Sequence, residues 1–199
     1  AFRTNSNYIG IDVKYATLSS KLDRGMCGFD LYIRKDGEWI WAWNNVPSKV
    51  VKGEFITLHL LKSSVPGWKE CLLYLPLQSE LSELQIVTDT DSQIEPLEMP
   101  FKGRIAVFGS SFTQGACAER PGLTYSAQLS RMTGYHFINM GFCGNSKLQP
   151  YFADALLDAV DVDAYVFDAF SNPSPEQIKE RLFPFIEKFQ ERKPGVPLI

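Results

Sequence analysis

The 199 residues suffice for one large domain or two small ones, and 45% hydrophobic with 22% charged residues excludes a disordered chain. A formal net charge of -3 provides no electrostatic basis for binding nucleic acid or an anionic membrane. No apolar run approaches the roughly 20 residues that a membrane span requires, so we expect none.

Neither the N-terminus nor the cysteines of the chain identify the cellular compartment of the protein. The N-terminus, AFRTNSNYIG, has no basic region followed by an apolar one, so it contains no signal peptide. A mature secreted protein would look the same, and we favour a secreted or periplasmic location with any signal already removed. Four cysteines without CxxC or Cys/His spacing predict neither a disulfide scaffold nor a zinc site.

Residues 1–100 read as an all-β domain. Asp36-Gly37 supplies the two positive φ angles of a tight hairpin turn. Nothing in this half keeps a helical period, and several short strands separated by turns predict a β-sandwich or jelly roll. Runs with alternating or β-branched and aromatic residues cover 8–15, 29–34, 38–44, 54–61, 70–75 and 84–88.

From about residue 100, strands alternate with helices, which predicts a second domain at 101–199 with a parallel sheet. The predicted strands are 104–108, 136–140 and 164–168, and the segment 196–199 resembles the start of a fourth. The predicted helices are 124–133, 149–160 and one that begins after Ser174 with a capping box and is kinked at Pro184.

The residues after these strands suit acyl transfer. They are GSSFTQG at 109–115, GFCGN at 141–145 and AFSN at 169–172. Because ligands bind beyond the carboxyl ends of parallel strands, one edge of the sheet collects a serine, a glycine turn and an amide. A serine hydroxyl can attack an ester carbonyl, and N–H donors stabilise the resulting oxyanion.

These three segments resemble the first blocks of the SGNH (GDSL-like) hydrolases. The resemblance implies a flavodoxin-like three-layer fold, with Ser111 as nucleophile and Gly144 and Asn172 as oxyanion donors. Ser110 stands where the family usually has aspartate. The segment GFDLY at 28–32 resembles the GxDLY signature of the β-domain that precedes some of these hydrolases.

The chain offers no general base beside the predicted nucleophile. The family's histidine belongs to an Asp-x-x-His block, and the only histidines here are His59 and His136. His59 lies in an alternating strand, and His136 enters its strand about 13 Å from the catalytic edge. We therefore expect a truncated form of a longer hydrolase with little or no activity; a natural short protein that binds acyl or sugar ligands is the alternative.

Several side chains admit a structural or a functional interpretation. Trp39, Trp41 and Trp43 share one face of a strand, and we expect an aromatic core stripe rather than a sugar-stacking surface. Cys117 and Cys143 are expected to be packed thiols, with a disulfide left open. Glu119-Arg120 is expected to be a solvated pair.

The leading hypothesis is a serine esterase that deacetylates a carbohydrate or hydrolyses a small ester through an acyl-enzyme. The alternative is a non-catalytic carbohydrate-binding protein, which exposed tryptophans would favour. A phosphate binder that uses the 109–115 loop ranks last, because that loop lacks the P-loop lysine and spacing. No metal or organic cofactor is implied, and the sequence leaves the substrate and the oligomeric state open.

Overall fold

The computed structural model describes residues 1–18, 23–51, 53–159 and 161–199. These residues divide into two compact units. The β-unit contains Ala1–Pro100 together with Ala118–Leu123, and the α/β-unit contains Phe101–Cys117 and Thr124–Ile199. The segment Ala118–Leu123 therefore groups with the β-unit, although it is flanked in sequence by residues of the other unit.

The β-unit consists of two antiparallel sheets, which confirms the predicted β-sandwich. The strands are β1 (Phe2–Thr4), β2 (Tyr8–Thr17), β3 (Phe29–Lys35), β4 (Glu38–Asn45), β5 (Ile56–Lys62), β6 (Lys69–Tyr74), β7 (Glu80–Thr88) and β8 (Ile94–Pro96). One sheet has the strand order β4-β3-β6-β1-β8 and the other β5-β2-β7. A one-turn helix, α1 (Arg24–Cys27), precedes β3.

Alternate residues of both sheets form one apolar core. Ile9, Ile11 and Val13 of β2 are fully buried and pack in a cluster with Leu31 of β3 and Leu60 of β5. Each such side chain contributes about 1.5–3 kcal/mol through its burial. The sequence reading missed β1, β8 and α1 because elements of three or four residues are too short to show a period.

The tryptophans of β4 do not belong to this core, so the prediction of an aromatic core stripe is wrong. Trp41 and Trp43 are 41% and 54% exposed. The strand β4 lies at the edge of its sheet, and its register against β3 shifts between Leu31 and Tyr32. It is Ala42 that packs against the core cluster, which leaves the neighbouring tryptophans on the outer face.

The α/β-unit alternates strands and helices around a parallel sheet. Its elements are β9 (Arg104–Gly109), α2 (Ser111–Gln114), α3 (Tyr125–Thr133), β10 (His136–Gly141), α4 (Pro150–Ala159), β11 (Ala164–Asp168) and α5 (Pro175–Arg192). The sheet has the order β10-β9-β11, the arrangement of the predicted flavodoxin-like fold. Leu198 forms a parallel bridge with Tyr165, which places the predicted fourth strand beside β11. The predicted helix 149–160 is observed as α4, while Val160 lies outside the described residues.

Aromatic side chains join the sheet to α4 and α5. Phe108 of β9 stacks on Phe185 at 5.6 Å between ring centroids, and Phe189 is fully buried nearby. The helix α5 runs through Pro184 as one element. The helix α3 buries small side chains: Ser126, Ala127 and Ser130 are buried, while Met132 is 79% exposed.

Candidate active site

The register of the parallel sheet brings the three predicted loops to one edge. Gly109 at the end of β9 is paired with Gly141 at the end of β10 and with Asp168 at the end of β11. The segments that begin at residues 110, 142 and 169 therefore leave the sheet side by side. This edge is where open α/β sheets place their ligands.

Ser111 is the first residue of α2, directly after β9. The fully buried Ser110 caps this one-turn helix, because its side chain accepts a hydrogen bond from the Phe112 N–H at 3.3 Å. Serine thus performs the capping that an aspartate can also perform at this position. Neither the hydroxyl nor the backbone N–H of Ser111 has a hydrogen-bond partner among the described residues.

Two glycines allow the backbone to close tightly around this turn. A Cβ at Gly109 would overlap the Thr113 side chain and crowd the Asp168 carbonyl oxygen. A Cβ at Gly141 would overlap the backbone nitrogen of Gln114. Because only glycine fits at both positions, the chain that carries Ser111 packs directly against the ends of the neighbouring strands.

Gly144 lies in an exposed turn in which hydrogen bonds fix the neighbouring backbone N–H groups. The N–H groups of Asn145 and Ser146 both donate to the Phe142 carbonyl, at 2.9 and 3.2 Å. The Cys143 N–H donates to the side-chain oxygen of Gln114 at 2.8 Å. Gly144 has φ +71° with open space around its Cα, and its own N–H has no partner within the described ranges. An incoming oxyanion can therefore reach it.

Asn172 is oriented by a residue of the Gly144 loop. The hydroxyl of the fully buried Ser146 donates to Asn172 Oδ1 at 3.0 Å. This contact leaves the amide Nδ2, for which the described part of the chain provides no partner. Asn172 does not cap the nearby helix α5, because Ser174 does so in a full capping box with Gln177.

A polar network that sequence reasoning missed fixes α2 to the neighbouring strands. The Thr113 hydroxyl donates to Asp168 Oδ2 at 2.9 Å, and the Tyr125 hydroxyl lies 3.0 Å from both groups. Burial, together with the nearby Asp168 carboxylate, raises the pKa of Tyr125 to about 12. From β10, Asn139 Nδ2 donates to the Thr113 carbonyl at 2.7 Å. The sequence contained one sign of this network, because the predicted buried strand 164–168 ends in an aspartate.

Neither histidine is arranged as a base for Ser111. His136 is paired with Arg104 at the amino end of the sheet and stacks on Phe101 at 5.5 Å. Its buried Nδ1 has no partner among the described residues, and burial followed by the charge of Arg104 lowers its pKa. In the β-unit, His59 Nδ1 is hydrogen bonded to the Tyr8 hydroxyl.

The polar residues of the nearby loops differ from expectation. Cys117 and Cys143 are exposed thiols rather than packed ones, and they form no disulfide with each other. Arg120 is not part of a solvated pair: within the β-unit its Nη1 donates to the buried Asp30 at 2.6 Å. Among the described residues, no group of three His, Cys, Asp or Glu side chains is arranged to hold a metal ion.

Two family models divide the chain between them. Residues 102–199 match the GDSL-like Lipase/Acylhydrolase family, and residues 1–94 match the N-terminus of SGNH-hydrolase-type esterases. The chain belongs to the SGNH, or GDSL-like, family. This confirms the resemblance drawn from the 109–115 loop and the GFDLY segment, and it identifies the α/β-unit as a hydrolase-type fold.

Solved structures agree with this assignment. The chain is 40% identical to a protein from Bacteroides ovatus assigned as a GDSL-like lipase, with a TM-score of 0.90 over 99% of this chain and 58% of that one. It also matches a salicylyl-acyltransferase from a tetracycline biosynthetic pathway (21% identity, TM-score 0.72, 99% and 55% covered). A family two carbohydrate esterase from Clostridium thermocellum, in complex with cellohexaose, has 13% identity and a TM-score of 0.70 (99% and 68% covered).

The chain thus spans little more than half the length of the first two of these structures. None of the curated proteins compared with this SGNH-family chain matches it. Among the helices of the described ranges, none is long and apolar enough to span a membrane.

Proposed function

We propose that this SGNH-family chain carries the nucleophile and the oxyanion site of a serine acylhydrolase. The observation that carries the proposal is the Ser111 hydroxyl at the carboxyl edge of the sheet, which has no hydrogen-bond partner in the described part of the chain and lies beside loops that present two further N–H donors. Ser111 Oγ attacks the ester carbonyl, the alkoxide leaves, and an acyl-serine remains for water to hydrolyse. The Ser111 N–H, the Gly144 N–H and the Asn172 amide stabilise the negative charge on the carbonyl oxygen.

The general base of this reaction is the part that the 199 residues lack. His136 is at the opposite end of the sheet, and the family's Asp-x-x-His block does not occur in the sequence. We propose that a histidine supplied by such a block takes the Ser111 proton, passes it to the departing alkoxide so that an alcohol leaves, and then deprotonates the water that hydrolyses the acyl-serine. Since a serine hydroxyl is a weak nucleophile without a base, the 199 residues alone are expected to turn over esters near the background rate.

The proposed substrate is an acetylated carbohydrate or another small ester. Two related folds support this choice: one belongs to a carbohydrate esterase bound to cellohexaose and another to an acyltransferase. The exposed tryptophan pair of the β-unit also suits a sugar. The proposal requires no cofactor and no nucleic acid, and it places the enzyme outside the cytoplasm.

Added imidazole can replace the missing histidine base, which provides a test of the proposal. The 199-residue chain is incubated with p-nitrophenyl acetate, with and without added imidazole, and acetylation is mapped by peptide mass spectrometry. We expect imidazole to produce an acetyl group on Ser111 and to accelerate p-nitrophenol release. The Ser111→Ala variant should show only the reaction of imidazole itself. Ser171→Ala, which removes an exposed serine of the third loop, is the matched control and should behave like the parent chain.

Two results would contradict the proposal. Equal rates for the parent chain and Ser111→Ala in the presence of imidazole would remove Ser111 from the chemistry. Rapid Ser111-dependent turnover without imidazole would leave the nucleophile in place but show that the 199 residues already contain the base.

A second candidate function is carbohydrate binding without turnover. The exposure of Trp41 and Trp43 favours it, because a core role would have buried both rings. It predicts saccharide binding that Ser111→Ala leaves unchanged, with no release of acetate from acetylated sugars by a chain that includes the histidine block.

A further inference from the structure

A cleft at one edge of the β-sandwich lies outside the site described so far. The strands β4 and β5 are the edge strands of their respective sheets, and the Asn45 side chain joins them by donating to the His59 carbonyl at 2.9 Å. The cleft has a volume of about 740 Å³, which falls within the roughly 300–1,000 Å³ of ordinary ligand sites. It is lined by Tyr8, Ala42, Trp43, His59, Leu60, Leu61, Lys62 and Asp89.

Trp43 forms a supported aromatic platform in this cleft. The residue is 54% exposed, and its ring stacks on that of Trp41 with 5.9 Å between centroids and 17° between planes. Trp41 is itself held in place, because its Nε1–H donates to the buried Asp30 at 2.8 Å and the Arg120 guanidinium lies 4.7 Å from its ring. The platform is therefore already ordered before any ligand arrives, which reduces the entropic cost of binding.

Asp89 provides a fixed carboxylate at the cleft. Its Oδ2 accepts hydrogen bonds from the Ser6 hydroxyl and from the N–H groups of Asn7 and Tyr8, at 2.9 to 3.1 Å. The hydrogen bond from Ser6, followed by those from the two backbone N–H groups, holds the pKa of Asp89 below its ordinary value. The Oδ1 atom has no partner in the described part of the chain, so it remains as a hydrogen-bond acceptor.

Two donors complete the lining. The ammonium group of the exposed Lys62 has no partner among the described residues. The exposed His59 is fixed through Nδ1 by the Tyr8 hydroxyl, which leaves its Nε2 available. A carboxylate and an ammonium at the same cleft match a neutral ligand that both donates and accepts hydrogen bonds, rather than a ligand with one sign of charge.

We propose that this cleft binds a neutral saccharide, with one pyranose ring stacked on Trp43 and its hydroxyls bonded to Asp89 and Lys62. An aromatic face favours the C–H face of a sugar ring, while vicinal hydroxyls offer the donors and acceptors that the two charged groups require. Ala42 and Leu60 add apolar surface to the lining of the cleft. This sugar site does not depend on Ser111 being catalytic and would serve to hold a polysaccharide.

The four tryptophans allow a direct test, since each provides one indole N–H signal in a nitrogen-15 NMR spectrum. The chain is titrated separately with cellohexaose, xylohexaose and chitohexaose. We expect at least one of these to shift the Trp43 indole signal most strongly and the signal of Trp68, which does not line the cleft, least. Calorimetry on the same sugar then provides the dissociation constant for each variant.

Trp43→Ala is expected to raise this dissociation constant at least about tenfold, as removal of a central aromatic contact does in binding sites. Lys62→Ala should raise it a few-fold without affecting folding. Trp68→Ala is the matched control, because Trp68 is a 48% exposed tryptophan of the same unit outside the cleft. Ser111→Ala should leave sugar binding unchanged, which separates this proposal from the proposed esterase.

The proposal is overturned if none of the three sugars binds the parent chain at millimolar concentration. It is equally overturned if Trp43→Ala binds the sugar as tightly as the parent, because the sugar would then occupy another site. Loss of binding in Ser111→Ala would also count against it, since that result would place the sugar at the serine edge of the α/β-unit.

Discussion

Replacement of Arg120 by methionine should destabilise the β-unit by leaving a buried charge unpaired. The Asp30 side chain is fully buried and accepts three hydrogen bonds, from Arg120 Nη1 at 2.6 Å, the Gly122 N–H at 2.9 Å and Trp41 Nε1 at 2.8 Å. Among the described residues, Arg120 supplies the only countercharge for this carboxylate. Methionine keeps much of the length and packing of arginine but removes that charge.

The expected loss is about 3–5 kcal/mol of unfolding free energy at neutral pH, the usual cost of removing one partner of a buried ion pair. The loss should depend on pH with a definite sign. Burial raises the pKa of Asp30 above its ordinary value even though Arg120 opposes the shift. An acid whose pKa is higher in the folded state stabilises the fold less as pH rises through that range. Without Arg120 this pKa rises further, so the deficit of the variant should shrink as Asp30 takes up its proton towards pH 4.

Urea unfolding followed by tryptophan fluorescence measures this effect, because all four tryptophans lie in the β-unit. Arg34→Met is the matched control: Arg34 pairs with Glu70 at 3.2 Å in an exposed position, so its loss should stay within about 1 kcal/mol. Adding Asp30→Asn to Arg120→Met should recover part of the stability. A loss below about 1 kcal/mol for Arg120→Met, or one that stays constant from pH 4 to pH 8, would refute the reasoning.

Two further predictions concern the α/β-unit, whose stability can be followed by its helical circular dichroism signal. Gly141→Ala should unfold or severely destabilise the unit, because the added Cβ overlaps the Gln114 backbone. Gly144→Ala should cost only about 1–2 kcal/mol, since its Cβ meets open space and only the left-handed φ of +71° opposes it. Similar melting temperatures for the two variants would contradict this contrast. Above pH 10 the unfolded chain releases the Tyr125 proton while the folded state, with a pKa of about 12, retains it, so stability should fall between these values. Tyr125→Phe should cost about 1–2 kcal/mol at pH 7 and weaken that alkaline loss; an unchanged pH profile would exclude the effect.

Local patterns were sufficient to predict the two-layer β-unit and the parallel sheet. The Asp36-Gly37 hairpin is observed with φ of +52° and +86°, and the capping box at Ser174 starts α5. These features depend on residues close together in the chain, so the sequence displays them directly. The loop at 109–115 and the GFDLY segment were likewise sufficient to predict the family, because both are contiguous motifs.

Contacts between distant residues could not be predicted in this way. Whether Trp41 and Trp43 face the core or solvent depends on the edge position of β4 and on its register shift against β3. Likewise, Arg120 neighbours Glu119 in sequence, but folding pairs it with Asp30, ninety residues away.

The sequence by itself determined the order of the longer strands and helices, the family and the candidate roles of Ser111, Gly144 and Asn172. The tertiary structure decided which groups surround them: Ser146 orients Asn172, and Gln114 holds the turn of Gly144. The physical reason is that periodicity and turn chemistry act over a few residues. A hydrogen-bond partner or a solvent-exposed face, by contrast, exists only after segments far apart in the chain have packed together.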